Sequence, residues 1–181
     1  MIYLGADHAG FVLKEKIKQW LKKSGYSFKD LGAQKYDPND DYPDIVKKVA
    51  DAVSHDPVNS RGIIIGGSGQ AEMIVANKFP GVRCVLFYTP AVPTEAADIK
   101  GRKSNDPFEI IRLTREHNNA NMLSLGARFL RENDALTAIN KWLKEPFPNH
   151  ERHARRINKI AQIEKELSND GCCGGGCCGE N

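Results

Sequence analysis

Cysteine is almost absent from the part of this chain that would build a fold. Four of the five cysteines lie in the last ten of 181 residues, and only Cys84 sits in the body, inside an apolar stretch. A disulfide framework for the fold is thereby excluded, and Cys84 reads as a small buried hydrophobe. Long apolar runs are missing too. None reaches the length needed to cross a bilayer. The opening residues, MIYLGADHAG, lack the basic start and long apolar stretch of a secretory signal, so the expected compartment is the cytoplasm. A strong charge of one sign is also lacking. With 26 basic and 23 acidic side chains the net charge is +3, which gives no reason to expect a nucleic-acid partner. What remains is 40% hydrophobic and 27% charged, the balance of a globular domain. The length suits one domain that buries a core without metal or disulfide staples.

Short apolar runs alternate with longer stretches of helical period. Residues 2–5, 27–31, 62–65, 83–88 and 122–125 read as strands. Leu13, Ile17, Trp20 and Leu21 share a helix face, as do Ile45, Val46, Val49, Ala52 and Val53. Further helices are expected over residues 69–79, at the end of 89–120, around Leu136 to Leu143, and over 151–167. This alternation predicts an α/β fold, a Rossmann-like α/β/α sandwich on a five-stranded parallel sheet. The domain is expected to span 1–167, followed by a disordered Gly/Cys-rich tail over 168–181.

Ligands of such folds bind beyond the carboxyl ends of the strands. The chemistry is therefore sought at Ala6-Asp7-His8-Ala9-Gly10, Gly66-Gly67-Ser68-Gly69 and Gly126-Ala127-Arg128. The glycines of the second stretch permit a tight turn whose N–H groups, with a helix start behind them, favour an anion. It is neither a dinucleotide fingerprint, because Glu72 stands where a third small residue is needed, nor a Walker loop. Ser68 and Glu72, four apart, share one helix face. Glu72 reads either as a surface partner of the helix dipole or as a base beside an oxyanion trap, the arrangement that proton abstraction next to a carbonyl requires. Asp7 is an N-cap candidate and His8 a surface histidine on the plainer reading. His117, among amide side chains, has the titration range of a general acid.

The last helix carries Arg152 and Arg156. With Arg152 at zero, 100° per residue puts Ile163 at about 20°, Arg156 at about 40°, Leu167 at about 60° and Ile160 at about 80°. Both arginines thus fall on the apolar stripe. There they call for an anionic partner, and phosphate suits the guanidinium fork. Arg128 is placed to join them.

Together these segments resemble the ribose-5-phosphate isomerase B family, which also includes galactose-6-phosphate isomerase subunits. The resemblance covers residues 1–165. It is carried by Gly5-Ala-Asp-His-Ala-Gly10, Asp41-Tyr-Pro43, Gly66-Gly-Ser-Gly69 with Glu72, Ala76-Asn-Lys78, Arg115-Glu-His-Asn-Asn119, Gly126-Ala-Arg128 and Arg152-His-Ala-Arg-Arg156. It implies interconversion of ribose 5-phosphate and ribulose 5-phosphate through an enediolate, with no metal and no cofactor. One branch of the family has a cysteine base at the position of Gly66, and this chain resembles the branch with a glutamate, here Glu72.

By the same resemblance, Ser68 and the backbone of Gly67 and Gly69 hold the enediolate oxygens. His117 opens the sugar ring, and Asp7 helps move the ring-oxygen proton. Asn118 and Tyr42 contact the sugar, while His8, Arg128, Arg152 and Arg156 take the phosphate. A homodimer with sites shared between subunits is implied, the C-terminal helix packing on the partner. Two features depart from the family. An insertion falls around 89–114, just before His117, and the CCGGGCCG tail is extra. The tail reads first as disordered, then as a soft-metal ligand or an acylated membrane anchor. A six-carbon sugar phosphate as substrate, and a sugar-phosphate-binding module without catalysis, are the alternatives.

Overall fold

The structure, a computed structural model, describes residues 1–170. The tail's CCGGGCCG run, and the expectations attached to it, lie outside the described residues. Two compact units are present, Met1–Pro148 and a second from Asn149 onward.

The first unit is built on five strands: β1 (Ile2–Ala6), β2 (Phe28–Asp30), β3 (Arg61–Gly66), β4 (Cys84–Phe87) and β5 (Met122–Gly126). All pair in parallel, in the order β2-β1-β3-β5-β4. Five helices connect or follow them: α1 (Phe11–Lys23), α2 (Tyr42–Ser54), α3 (Gln70–Ala76), α4 (Glu109–Asn118) and α5 (Glu132–Lys144). Every expected strand and helix is present, with ends moved by a few residues.

The period-two alternation of the strands divides the core. Ile63 and Ile65 face Ile17 and Leu21 of α1, Ile111 of α4, and Ala138, Ile139 and Trp142 of α5. Ile64, between them, faces the other way, toward Val46, Val49 and Val53 of α2 and Ala76 of α3, with Cys84 and Met122. Strands flanked by helix on both sides have no wet face, which is why β3 reads as an unbroken apolar run. Cys84 is buried as expected, and burial beside the Glu72 carboxylate pushes its thiol far above the ordinary range. That removes thiolate chemistry from Cys84 at neutral pH.

The connection from β1 runs outward to β2, whereas the chain after β3 builds on the opposite side. The switch point is therefore the crevice between the carboxyl ends of β1 and β3. Ala6 pairs with Ile65 there, and Gly66 with Gly126 on the other flank. The three stretches singled out in the sequence leave the sheet side by side.

The second unit contains α6 (Glu151–Asp170). Its Ile160, Ile163 and Leu167 are exposed in the single chain. An apolar stripe of that kind on a helix is the signature of a surface meant to be covered.

Candidate active site

The loop after β3 owes its shape to two glycines. Gly69 has φ +76°, and a Cβ there would sit 2.7 Å from Leu86 Cδ1. Conformation and space both demand glycine. The Gly69 carbonyl is fixed from below by Ser124 of β5, whose buried hydroxyl donates to it at 2.6 Å. Ser68 Oγ accepts the Gln70 N–H at 3.3 Å, starting α3.

Glu72 lies in the first turn of α3 and is only 4% exposed. It is thus no surface partner of the dipole. Its carboxylate folds back over Gly66, and any Cβ at that position would collide with it. The Glu72 carboxylate therefore fills the space beyond β3 that a side chain at position 66 would need. Burial raises the Glu72 carboxyl above its ordinary value of 4.5. Its own backbone N–H opposes the rise, and the Asp7 charge adds to it. A carboxyl raised in this way is better matched to accepting a proton near neutral pH.

Asp7 is buried, and one of its oxygens accepts the Gly10 N–H at 3.0 Å. That bond closes the turn ahead of α1, whose N-cap is Gly10 without a side-chain cap, so Asp7 is not the N-cap the sequence suggested; its charge also reaches Glu72. His8 is half-buried. Its Nδ1 lies 2.7 Å from Asp40 Oδ1, which also accepts the His8 backbone N–H at 3.0 Å. The bond to Asp40 is the largest influence on His8 and holds its imidazole above the ordinary 6.5, against desolvation and the charge of Arg128. Arg128 lies over Gly67, with its guanidinium carbon 3.4 Å from where a Cβ would stand. Tyr42 begins α2, two residues after Asp40, on the same edge of the sheet.

Asp7, His8, Tyr42, Gly67, Ser68, Gly69, Glu72 and Arg128 thus share one mouth at the carboxyl edge. His117 and Asn118 do not. They end α4, which runs back antiparallel to the strands, and the Asn118 carbonyl accepts from Arg83 Nε just ahead of β4. That is the amino edge of the sheet, roughly 15 Å away along a five-residue strand. Arg152 and Arg156 belong to α6 in the second unit.

Three residues have supporting roles that the sequence did not assign, although Arg115 stands in the Arg115-Glu-His-Asn-Asn119 motif. Asp40 orients His8, and Ser124 anchors the oxyanion loop from a neighbouring strand. Arg115, only 3% exposed, donates to the carbonyl of Ala120 at 2.6 Å and to Asn119 Oδ1 at 2.9 Å, closing the end of α4. Burial, with Arg61 and Arg83 nearby, lowers its guanidinium to about 10. Asp40 sits in the run Asn39-Asp40-Asp41, where sequence shows only turn chemistry. No group of three or more His, Cys, Asp or Glu among the described residues is arranged to hold a metal ion.

A doubly wound parallel sheet carries here, at its switch point, a buried carboxylate, a loop of N–H donors and a histidine–arginine pair. That defines a doubly wound α/β protein with a candidate site of charged and glycine-rich groups at its switch point. The chain belongs to the Ribose/Galactose Isomerase family, whose profile matches residues 2–106 and 105–160.

It is 40% identical over 164 residues to ribose-5-phosphate isomerase B of Mycobacterium tuberculosis, covering 91% of this chain and 90% of the relative. The crystal structure of ribose-5-phosphate isomerase B from Mycoplasma genitalium, with bound ribulose-5-phosphate, matches with a TM-score of 0.79 at 34% identity. That match covers 91% of this chain and 96% of the other. The Clostridium thermocellum ribose-5-phosphate isomerase B matches with a TM-score of 0.77 at 38% identity, over 92% and 98%.

Proposed function

We infer that this chain is an aldose–ketose isomerase interconverting D-ribose 5-phosphate and D-ribulose 5-phosphate, with Glu72 as the base. The observation that carries the reading is the buried Glu72 carboxylate over Gly66, one turn past a loop of anion-seeking N–H groups. Family membership and the relatives' printed activity supply the substrate.

The sugar enters as a ring. His117 gives a proton to the ring oxygen as the C1–O4 bond breaks, and the C1 hydroxyl loses its proton to become the aldehyde, with Asp7 assisting that transfer. Glu72 then takes the proton from C2. The C–H electrons form the C1–C2 double bond, and negative charge moves onto O1. The N–H groups of Gly67, Ser68 and Gly69 and the Ser68 hydroxyl neutralise it. The O2–H proton passes to O1, and Glu72 returns its proton to C1, leaving the ketone at C2. No step changes the net oxidation state or calls for a cofactor.

His8 and Arg128 hold the phosphate at the mouth, with Arg152 and Arg156 counted as further phosphate ligands and not assigned to a subunit. Tyr42 and Asn118 contact the sugar. His117 and Asn118 lie on the opposite sheet edge from Glu72, so the complete site is a composite between two copies. The partner subunit's His117 and Asn118 face this chain's Glu72. The exposed stripe on α6 supports a homodimer of this kind. A cytoplasmic place in pentose phosphate metabolism accompanies the reading.

The test is an isomerase assay on ribose 5-phosphate without cofactor and with chelator present. Formation of ribulose 5-phosphate supports the reading, and its absence rejects it. Specificity constants for ribose 5-phosphate against six-carbon sugar phosphates decide the substrate size. Binding without exchange of the C2 proton would make the chain a binding module instead.

A further inference from the structure

The segment between β4 and α4 is long, residues 88–108, and the family profile breaks and restarts at its far end, around 105–106. It does not hang free. Arg102 gathers three carboxylates. Its guanidinium reaches Glu116 Oε2 at 2.6 Å, Glu109 Oε1 at 3.0 Å and Asp98 Oδ2 at 3.3 Å. Glu109 and Glu116 stand two turns apart on α4, while Asp98 belongs to the segment itself. The Asp98 side chain also caps its own loop, accepting the N–H groups of Lys100 and Arg102. Glu109 is buried, and its second oxygen accepts the Ser104 hydroxyl. Without Arg102 this would be a cluster of like charges, one of them buried, which is strongly unfavourable.

The hub ends beside the ring-opening residue. Glu116 immediately precedes His117 in the last turn of α4, so a group that holds Glu116 holds the turn that carries His117. Arg112 also holds Glu116, at 3.0 Å, so the last turn of α4 is gripped from two sides.

We propose that Arg102 is a positioning residue for His117: through Glu109 and Glu116 it locks the 88–108 segment onto α4 and so fixes the last helical turn, from which His117 makes its proton transfer. The proposal rests on the reading of His117 as the group that opens the sugar ring. It gives the segment a role in the first step of the reaction and none in the proton transfer between carbons.

Substrate chemistry separates the two steps. Ribose 5-phosphate is a furanose and must be opened. Ribulose 5-phosphate has its 5-hydroxyl blocked and stays open-chain, so exchange of its C1 proton with solvent needs Glu72 and the oxyanion loop but no ring step. The experiment compares, in the full-length enzyme, turnover of ribose 5-phosphate with deuterium wash-in at C1 of ribulose 5-phosphate. Arg102→Met is expected to slow ribose 5-phosphate turnover by about ten- to a hundredfold, the scale of a misplaced catalytic group. Wash-in should change by less than about twofold. Arg102→Lys should restore part of the loss.

Asp98→Asn leaves the Arg102 links to α4 intact and should show the same split, more weakly. It serves as the test if the Met variant fails to fold. Equal losses in both assays, or no loss in either, overturn the proposal. A wild-type enzyme without wash-in or isomerisation overturns the functional reading itself, and this proposal with it.

Discussion

The Glu72 carboxylate occupies the space directly beyond Gly66, where any larger residue would place its side chain. The two positions are six apart in sequence and belong to different elements, yet they compete for one volume. Gly66→Ala should therefore displace the carboxylate and overpack the end of β3. We expect a stability loss of about 1–3 kcal/mol, measured by denaturant unfolding. A fall in kcat larger than that in substrate affinity should accompany it. Unchanged kcat would place the base elsewhere.

Glu72→Gln should be folded and slower by about two to four orders of magnitude. Its stability carries a second signature. A carboxyl raised in the folded state binds protons more tightly there than when unfolded. Its stabilising contribution is complete below the unfolded value, about 4.5, and is lost as pH rises through the higher folded value. The glutamine variant has no such loss. It should match the wild type near pH 4 and exceed its Tm at pH 7. In the wild type, activity should fall as pH drops through the raised Glu72 value, because the base must be ionised.

Asp40 holds His8 in its charged form to a higher pH than a free imidazole. In the wild type, KM for the phosphate ester should begin to rise above 6.5 as His8 deprotonates. In Asp40→Asn the rise should begin at lower pH, with kcat little changed. Steady-state kinetics across pH 5.5 to 8.5 check this, and coincident profiles would remove His8 from phosphate binding.

Ser124→Ala removes a buried donor from the Gly69 carbonyl. The Met73 N–H also reaches that oxygen, at 3.1 Å, so the carbonyl is not orphaned. The expected cost is about 0.5–1.5 kcal/mol in unfolding free energy. A severalfold drop in kcat should follow from a looser oxyanion loop. A stability change with kcat intact would confine Ser124 to the fold.

The proposed sharing of sites between subunits predicts complementation. Glu72→Gln and His117→Ala homodimers should each be nearly inactive. In a mixed dimer one site combines two intact residues, and half of randomly reassorted dimers are mixed. Mixing should thus restore about a quarter of wild-type activity. No recovery after verified subunit exchange would place Glu72 and His117 of one chain in the same site and reject the composite.

Period and punctuation made the layers readable before any coordinates. Ile63, Ile64 and Ile65 announce a strand buried on both faces, and Leu13, Ile17 and Leu21 a helix with one apolar side. Such patterns follow from the 2.0 and 3.6 residue repeats and are local. The glycine loop was legible for the same reason, since a turn with φ +76° at Gly69 leaves few residue choices. The roles of Asp40, Ser124 and Arg115 were not legible. Each acts on a group that arrives from another strand or helix, or on backbone that only the folded turn exposes, and an isolated aspartate, serine or arginine carries no trace of its acceptor.

The sequence by itself determined the βα alternation, the strand exits that matter and the residue types of the chemistry, because propensity and period are properties of neighbours along the chain. Only the tertiary structure decided that Glu72 is buried over Gly66 and that His117 stands on the opposite sheet edge. Strand order and helix direction set which ends meet, and both are fixed by how distant apolar faces pack, not by any single stretch of residues.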